Sequence, residues 1–239
     1  MTNGEVSREA RSRGSSASAL SKIIGIIALS SAVVGFSFRY VGMKNDHALQ
    51  IRMLERSLVE LKAAINTDSI RQHNIKKVLT IIDRYNPDMS EALKYEIASE
   101  IYAMSIKYPN LDVDLICATI THESGRSWNP RVSSPAGAMG LMQVMPLTGR
   151  YISEVEGITW TSAEDILYDP ILNIRLGCRY LSSMVRSYEL DGGLAAYNGG
   201  ERIAALWLKN NRADGILWNE TSKYVPSVLK LYEEYKAMN

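Results

Sequence analysis

One carboxylate stands at the end of an otherwise apolar helical run. Asp112 is a good N-cap, and Val113, Ile116, Cys117 and Ile120 recur at helical spacing, so the spacing predicts a helix from Asp112 to Glu123. Gly125 is its natural stop. Glu123 therefore occupies the last turn, where the helix dipole concentrates negative charge and burial also disfavours an anion. Both effects raise a carboxyl pKa. A carboxyl group that keeps its proton near neutral pH is what a general acid requires. The ordinary alternative for a single Glu at a helix end is a solvated surface carboxylate.

The elements that must hold this carboxyl read as helices joined by turns. Upstream, Asp88 with Glu91 three residues later forms a capping-box pattern, opening a helix to Lys107 with Leu93, Ile97, Ile101 and Met104 on one face. Downstream comes a loop, Trp128-Asn129-Pro130 through Ser134-Pro135-Ala136-Gly137, and then Gly140 to Pro146. A helical segment follows to Glu156. Asp169 is placed to cap a helix from Ile171 to Tyr188, and Gly177 inside it marks close backbone packing. Asp191-Gly192-Gly193 reads as a turn, Leu194 to Asn198 as the edge of a new helix, and Glu201–Leu208 and Thr221–Tyr235 as the last two helices. No stretch alternates strictly over a useful length, so the fold is mainly α with little or no β.

Four pieces of this region, taken together, resemble the soluble lytic transglycosylase (SLT) family, relatives of goose-type lysozymes. They are Glu123-Ser124 with Trp128-Asn129-Pro130 and Ser134-Pro135; Gly140-Leu141-Met142-Gln143 with Met145-Pro146; Ala196-Tyr197-Asn198-Gly199; and Glu220-Thr221 with Tyr224-Val225. The Ile166-Leu167-Tyr168-Asp169-Pro170 turn is also similar. The resemblance covers Met89 to Asn239 and implies a lysozyme-like, goose-type helical domain at 88–239 that acts on peptidoglycan glycan strands without metal or other cofactor. Most glycosidases use two carboxylates; this motif region offers one. The resemblance implies that Glu123 serves as acid and then base, cleaving the bond between N-acetylmuramic acid and N-acetylglucosamine and leaving a 1,6-anhydro end. It implies substrate-binding roles for Ser134, Met142, Gln143, Met145, Tyr197, Asn198, Glu220 and Tyr224. It gives no catalytic task to Glu154, Glu156, Glu164, Asp165 or Asp169.

Core packing is the alternative for Met142, helix capping for Glu220, and loop anchoring is the expectation for Trp128. The sequence departs from the family pattern in three places. Gly125-Arg126-Ser127 lengthens the gap before Trp128, Gly199-Gly200-Glu201 replaces the usual residues after Tyr-Asn, and Cys178 stands where a small residue is common. Cys117 and Cys178 are either a disulfide pair or two separately buried thiols. Two other functions stay open: a goose-type hydrolase of the same bond, and a catalytically silent peptidoglycan-binding assembly scaffold.

Composition bounds the rest. The chain of 239 residues has 46 % hydrophobic and 22 % charged residues, which is globular. A net charge of +1 argues against nucleic acid as a partner. Two cysteines and three histidines without ligand spacing argue against zinc. Residues 1–19 read as a basic, disordered cytoplasmic tail. Residues 20–43, uncharged from Ile23 to Phe38, read as a transmembrane signal anchor rather than a cleaved signal peptide or a buried core helix. Positive residues before the span place the C-terminal domain outside a bacterial inner membrane, in the periplasm, on a single-pass protein. Residues 44–87 read as a helical stalk. Ile51, Leu54, Leu58, Leu61 and Ile65 alternate three and four apart, which suits either a dimeric coiled coil or a helix lying on the domain. A membrane-anchored lytic domain also suits a cell-envelope machine.

Overall fold

The computed structural model describes the backbone of residues 4–238 and the side chains of residues 20–47 and 49–238. Among the described residues there are eight helices: α1 (Gly4–Tyr85), α2 (Glu91–Lys107), α3 (Val113–Glu123), α4 (Pro146–Glu156), α5 (Ala163–Leu167), α6 (Pro170–Gly199), α7 (Glu201–Lys209) and α8 (Asn219–Lys236). Among the described residues there is no strand. Two isolated bridges, Ser133 with Met139 and Met139 with Val144, are the only extended pairing there. The chain forms two compact units, Met1–Asn66 and Thr67–Asn239.

In the first unit, α1 begins at Gly4, inside the stretch read as a tail; the side chains of 4–19 lie outside the described residues. This helix contains an 18-residue window of mean hydropathy 1.8, none of it buried, long and apolar enough to cross a membrane. Ile23, Ile26, Leu29, Val33 and Phe36 are all exposed, as are Ile51, Leu54, Leu58, Leu61 and Ile65 of the heptad seam. Arg56 and Glu60 pair at 2.9 Å on another face.

The second unit carries the core. The end of α1 belongs to it, with Ile75, Val78, Ile81 and Ile82 buried among Ile97, Ile101, Ile116, Ile120 and Val228. Lys94 of α2 is buried and satisfied by Asp83 at 2.6 Å, Glu91 at 2.8 Å and the Pro87 carbonyl at 3.0 Å, tying α2 to the turn after α1. Ser90, not Asp88, caps α2: its Oγ accepts from the Leu93 N–H. Asp112 caps α3 and Asp169 caps α6 through their carboxylates, as their positions predict. α3 packs on α8, and α6 on α7 and α8.

The expected turn at Asp191-Gly192-Gly193 lies inside α6 instead. The break comes earlier, at Tyr188 and Glu189, where Glu189 has φ +62°. Both positions suit glycine because the space beside them is taken: a Cβ on Gly192 would meet Leu208 at 2.7 Å, and one on Gly193 the Val185 backbone at 2.5 Å. Chain reversal falls to Glu189, whose carboxylate, with that of Asp191, is held by Arg212.

Candidate active site

α3 ends where its sequence says it must. Ser124 is the C-cap, and Gly125 and Arg126 both take positive φ, turning the chain out of the helix. The turn is pinned by Trp128, which is fully buried. Its backbone N–H donates to Ser124 Oγ (3.1 Å), its indole Nε1 donates to Thr121 Oγ1 (2.9 Å), and its carbonyl accepts from Asn86 Nδ2 (3.2 Å). Trp128 thus anchors the loop, with no face left for a sugar.

Glu123 sits between those anchors. Its residue is half-buried, but the carboxyl is walled in by protein, and loss of hydration pushes its pKa from 4.5 up to about 8. The Tyr224 hydroxyl opposes that rise by facing the carboxylate, and the charge of Glu220 adds to it. The Tyr224 hydroxyl is itself buried without a hydrogen bond of full geometry. The phenol and carboxyl are therefore electrostatic neighbours. The His122 ring stands edge-on to Tyr224, with centroids 4.8 Å apart. Burial and Arg126 lower the His122 pKa, so the imidazole is neutral at pH 7.

Tyr197 completes the cluster. Its hydroxyl donates to the Met142 carbonyl at 2.7 Å, and its pKa is raised by burial first and then by the Glu123 charge. Tyr180 packs on it at 5.3 Å between centroids. The structure thus brings Glu123, Tyr197, Glu220 and Tyr224 within electrostatic reach of one another, from α3, α6 and α8. Asn198 faces the other way in function: its Oδ1 accepts from Thr221 Oγ1 at 2.7 Å, locking the end of α6 to the start of α8.

The remaining sequence-derived residues lie in the loop between Val132 and Pro146. Ser134 Oγ accepts from the Ala138 N–H at 3.0 Å and shapes the turn. Gln143, at φ +47°, donates through Nε2 to the carbonyls of Gly140 (2.9 Å) and Val132 (3.3 Å). With its amide protons spent on the loop, its oxygen is the group open to a ligand. Met145, just before α4, is exposed. None of these three is hydrogen-bonded to Glu123. Met142 differs: its side chain is fully buried, with Sδ 3.8 Å from Cys178 Sγ, so its thioether is core and only its carbonyl serves the cluster.

Asn173, invisible as a site residue in the sequence, holds this loop. Fully buried, it accepts from the Met142 N–H (2.8 Å) and donates to the carbonyls of Met139 and Leu167 (2.9 Å each). Gly140 makes that possible. It has φ +78°, and a Cβ there would fall 2.2 Å from the Leu167 oxygen and 2.3 Å from Asn173 Nδ2. The other carboxylates are used elsewhere: Glu156 takes Lys107, Tyr108 and Arg179, and Asp169 caps α6. Among the described residues no group of acidic, His and Cys side chains could hold a metal ion.

The sequence of residues 101–217 matches the family model for the transglycosylase SLT domain. Residues 101–217 thus carry a transglycosylase SLT domain. Glu123, Gln143 and Tyr197 all fall inside the SLT segment, whereas Glu220 and Tyr224 follow it. Among curated relatives, the soluble lytic murein transglycosylase of Escherichia coli (strain K12) is 35 % identical over 46 % of this chain and 18 % of its own length. The membrane-bound lytic murein transglycosylase C of Photorhabdus laumondii is 32 % identical over 54 % of this chain and 38 % of its own. The chain thus spans well under half the length of these relatives. Among solved structures, an inactive Glu-to-Gln mutant of the lytic transglycosylase Slt from Pseudomonas aeruginosa superposes with a TM-score of 0.52 at 29 % identity, over 64 % of this chain and 25 % of that one. The SLT domain is therefore the lysozyme-like helical fold that the motifs imply.

Proposed function

We propose that this protein is a peptidoglycan lytic transglycosylase, with Glu123 as acid and then base. The observation that carries the reading is the Glu123 carboxyl: dehydrated, titrating at about 8, and flanked by Tyr224 and Tyr197 in an SLT domain. At neutral pH it holds a proton to give. Glu123 protonates the glycosidic oxygen between N-acetylmuramic acid and N-acetylglucosamine, and the C1–O bond breaks. The substrate's own 2-acetamido oxygen bonds to C1, replacing the second carboxylate that other glycosidases supply. Glu123, now an anion, takes the proton of the muramic C6 hydroxyl. O6 attacks C1, the acetamido group leaves, and a 1,6-anhydro ring closes with no water consumed. Tyr224 faces the anion at the midpoint of this cycle, and the Gln143 oxygen and Ser134 loop present hydrogen-bonding groups to the sugars. Asn198 and Met142 support the cluster from behind.

Digestion of purified sacculi, read by muropeptide mass spectrometry, tests this. Products one water lighter than hydrolytic muropeptides are expected from the wild type and none from Glu123→Gln. Hydrolytic masses would instead support a goose-type lysozyme. Glu220 favours that second reading, as an exposed carboxylate whose charge already reaches Glu123.

The N-terminal helix supports a single-pass anchor in the inner membrane with the SLT domain in the periplasm. Its apolar window is exposed along its whole length, and the Photorhabdus relative is itself membrane-bound. The exposed heptad positions Ile51 to Ile65 support dimerisation through the stalk, outside the bilayer. Cross-linking in membranes of a single cysteine placed at Leu58 is expected to give a dimer band.

A further inference from the structure

The turn that carries Glu123 is tied to the end of α1 by a hydrogen-bond chain, buried at its inner links and half-buried at Tyr85. It starts at the Trp128 indole, which can only donate. Its proton goes to Thr121 Oγ1 at 2.9 Å; Thr121 Oγ1 lies 2.9 Å from the Tyr235 hydroxyl; Tyr235 in turn donates to the Tyr85 hydroxyl at 3.3 Å. Because Tyr235 spends its proton on Tyr85, Thr121 must donate to Tyr235, so the chain runs in one direction from the loop to α1. A parallel strut joins the same elements, Asn86 Nδ2 to the Trp128 carbonyl at 3.2 Å. Thr121 precedes Glu123 by two residues and Ser124 follows it, and Trp128 grips both. Burial keeps the Tyr235 phenol neutral, as a relay of neutral bonds requires.

We propose that Tyr85 and Tyr235 are positioning residues for Glu123, acting through Thr121 and Trp128, so that the last turn of α1 is part of the machinery that shapes the active-site turn. The inference rests on the proposed role of Glu123. It extends the functional unit to a helix end outside the segment matched by the SLT model. Tyr235 reaches neither the carboxyl nor any substrate; it fixes the indole, and the indole fixes how much water the carboxyl meets. The groups acting on Glu123 itself are Tyr197 of α6 and Glu220 and Tyr224 of α8, and His122 of α3 stands edge-on to Tyr224. The phenylalanine changes below leave all four in place.

The test uses the full-length chain with Tyr235→Phe and Tyr85→Phe, each keeping its ring. The Glu123 titration is read by carboxyl 13C NMR, assigned by difference from Glu123→Gln. Turnover is read on sacculi and Tm by calorimetry, and Ile97→Val, a core change far along the chain, serves as the destabilised control. Tyr235→Phe is expected to move the Glu123 midpoint down by about one unit as water enters the turn, and to cut kcat about tenfold with KM nearly unchanged. Tyr85→Phe, at the outer end, should do less, and the double variant should match Tyr235→Phe alone because one chain is broken twice. The control should lower Tm without moving the midpoint. A Tyr235→Phe chain with wild-type midpoint and kcat overturns the proposal, whatever its Tm. If that variant does not fold, a wild-type midpoint in Tyr85→Phe overturns it equally. A wild type that yields no anhydro product, yet shows the midpoint shift in the variants, would reject the enzymatic reading and leave the chain's role standing.

Discussion

Tyr224 and Glu123 oppose each other in a way that titration can read. The phenol faces the carboxylate and favours the charged form, so it holds the Glu123 pKa below where dehydration alone would set it. Tyr224→Phe is therefore expected to move the Glu123 midpoint above about 8, measured by carboxyl NMR. It should also slow the base half of the cycle, since the anion loses its neighbour; a loss on the order of tenfold in kcat fits one such group. The same carboxyl makes stability depend on pH. Its folded pKa is raised, so the stability it allows is fully present below 4.5 and is lost as pH climbs towards 8, where the unfolded chain ionises first. Glu123→Gln should match the wild-type Tm near pH 4 and exceed it at pH 8 by roughly 5 °C, read by calorimetry across the range. Glu123 and its partners were legible because their chemistry is written in residue type and motif. His122 and Asn173 were not, since an imidazole beside a phenol and an amide spanning three backbone groups exist only once distant segments meet.

At the scale of elements, the loop between α3 and α4 is set by close approaches to α5 and α6. Gly140 and Gly177 both admit no Cβ, but the obstacles differ. At Gly140, with φ +78°, a methyl meets a backbone carbonyl and a buried amide; at Gly177, in ordinary helical geometry, it meets the Met142 side chain, Sδ at 2.5 Å and Cβ at 2.6 Å. Gly140→Ala should thus cost more than Gly177→Ala, roughly 3 kcal/mol against 1–2, and only the former should also erase activity, by chemical denaturation and sacculus assay. Helix caps at Asp112 and Asp169 were readable because a cap is a local event. The continuation of α6 through Gly192-Gly193 was not: two glycines signal a turn by propensity, and only the packing of Leu208 and Val185 against their bare Cα atoms shows why they are glycine within a helix.

For the whole molecule, the compact unit begins at Thr67, earlier than the Asp88 boundary suggested by the Tyr85-Asn86-Pro87 break. The sequence marks that break plainly, yet Ile75, Val78, Ile81 and Ile82 on its far side are core residues. Their apolar spacing is that of any amphipathic helix, and the surface they cover is made by chain that follows much later. A fragment of residues 67–239 is expected to unfold cooperatively. One of residues 88–239, missing four buried aliphatic side chains of about 2 kcal/mol each, should fail to fold or melt far lower, by calorimetry of the two.

Cys117 and Cys178 are both sealed from solvent, and burial pushes both thiols well above their usual range. Thiol chemistry needs an accessible thiolate, so in the finished domain these two cysteines are shielded from disulfide exchange and alkylation. The nascent chain has no such shelter. Matured in an oxidising compartment, it has to bury both sulfurs in the core before an oxidant finds either, and a chain that lingers open risks a non-native disulfide.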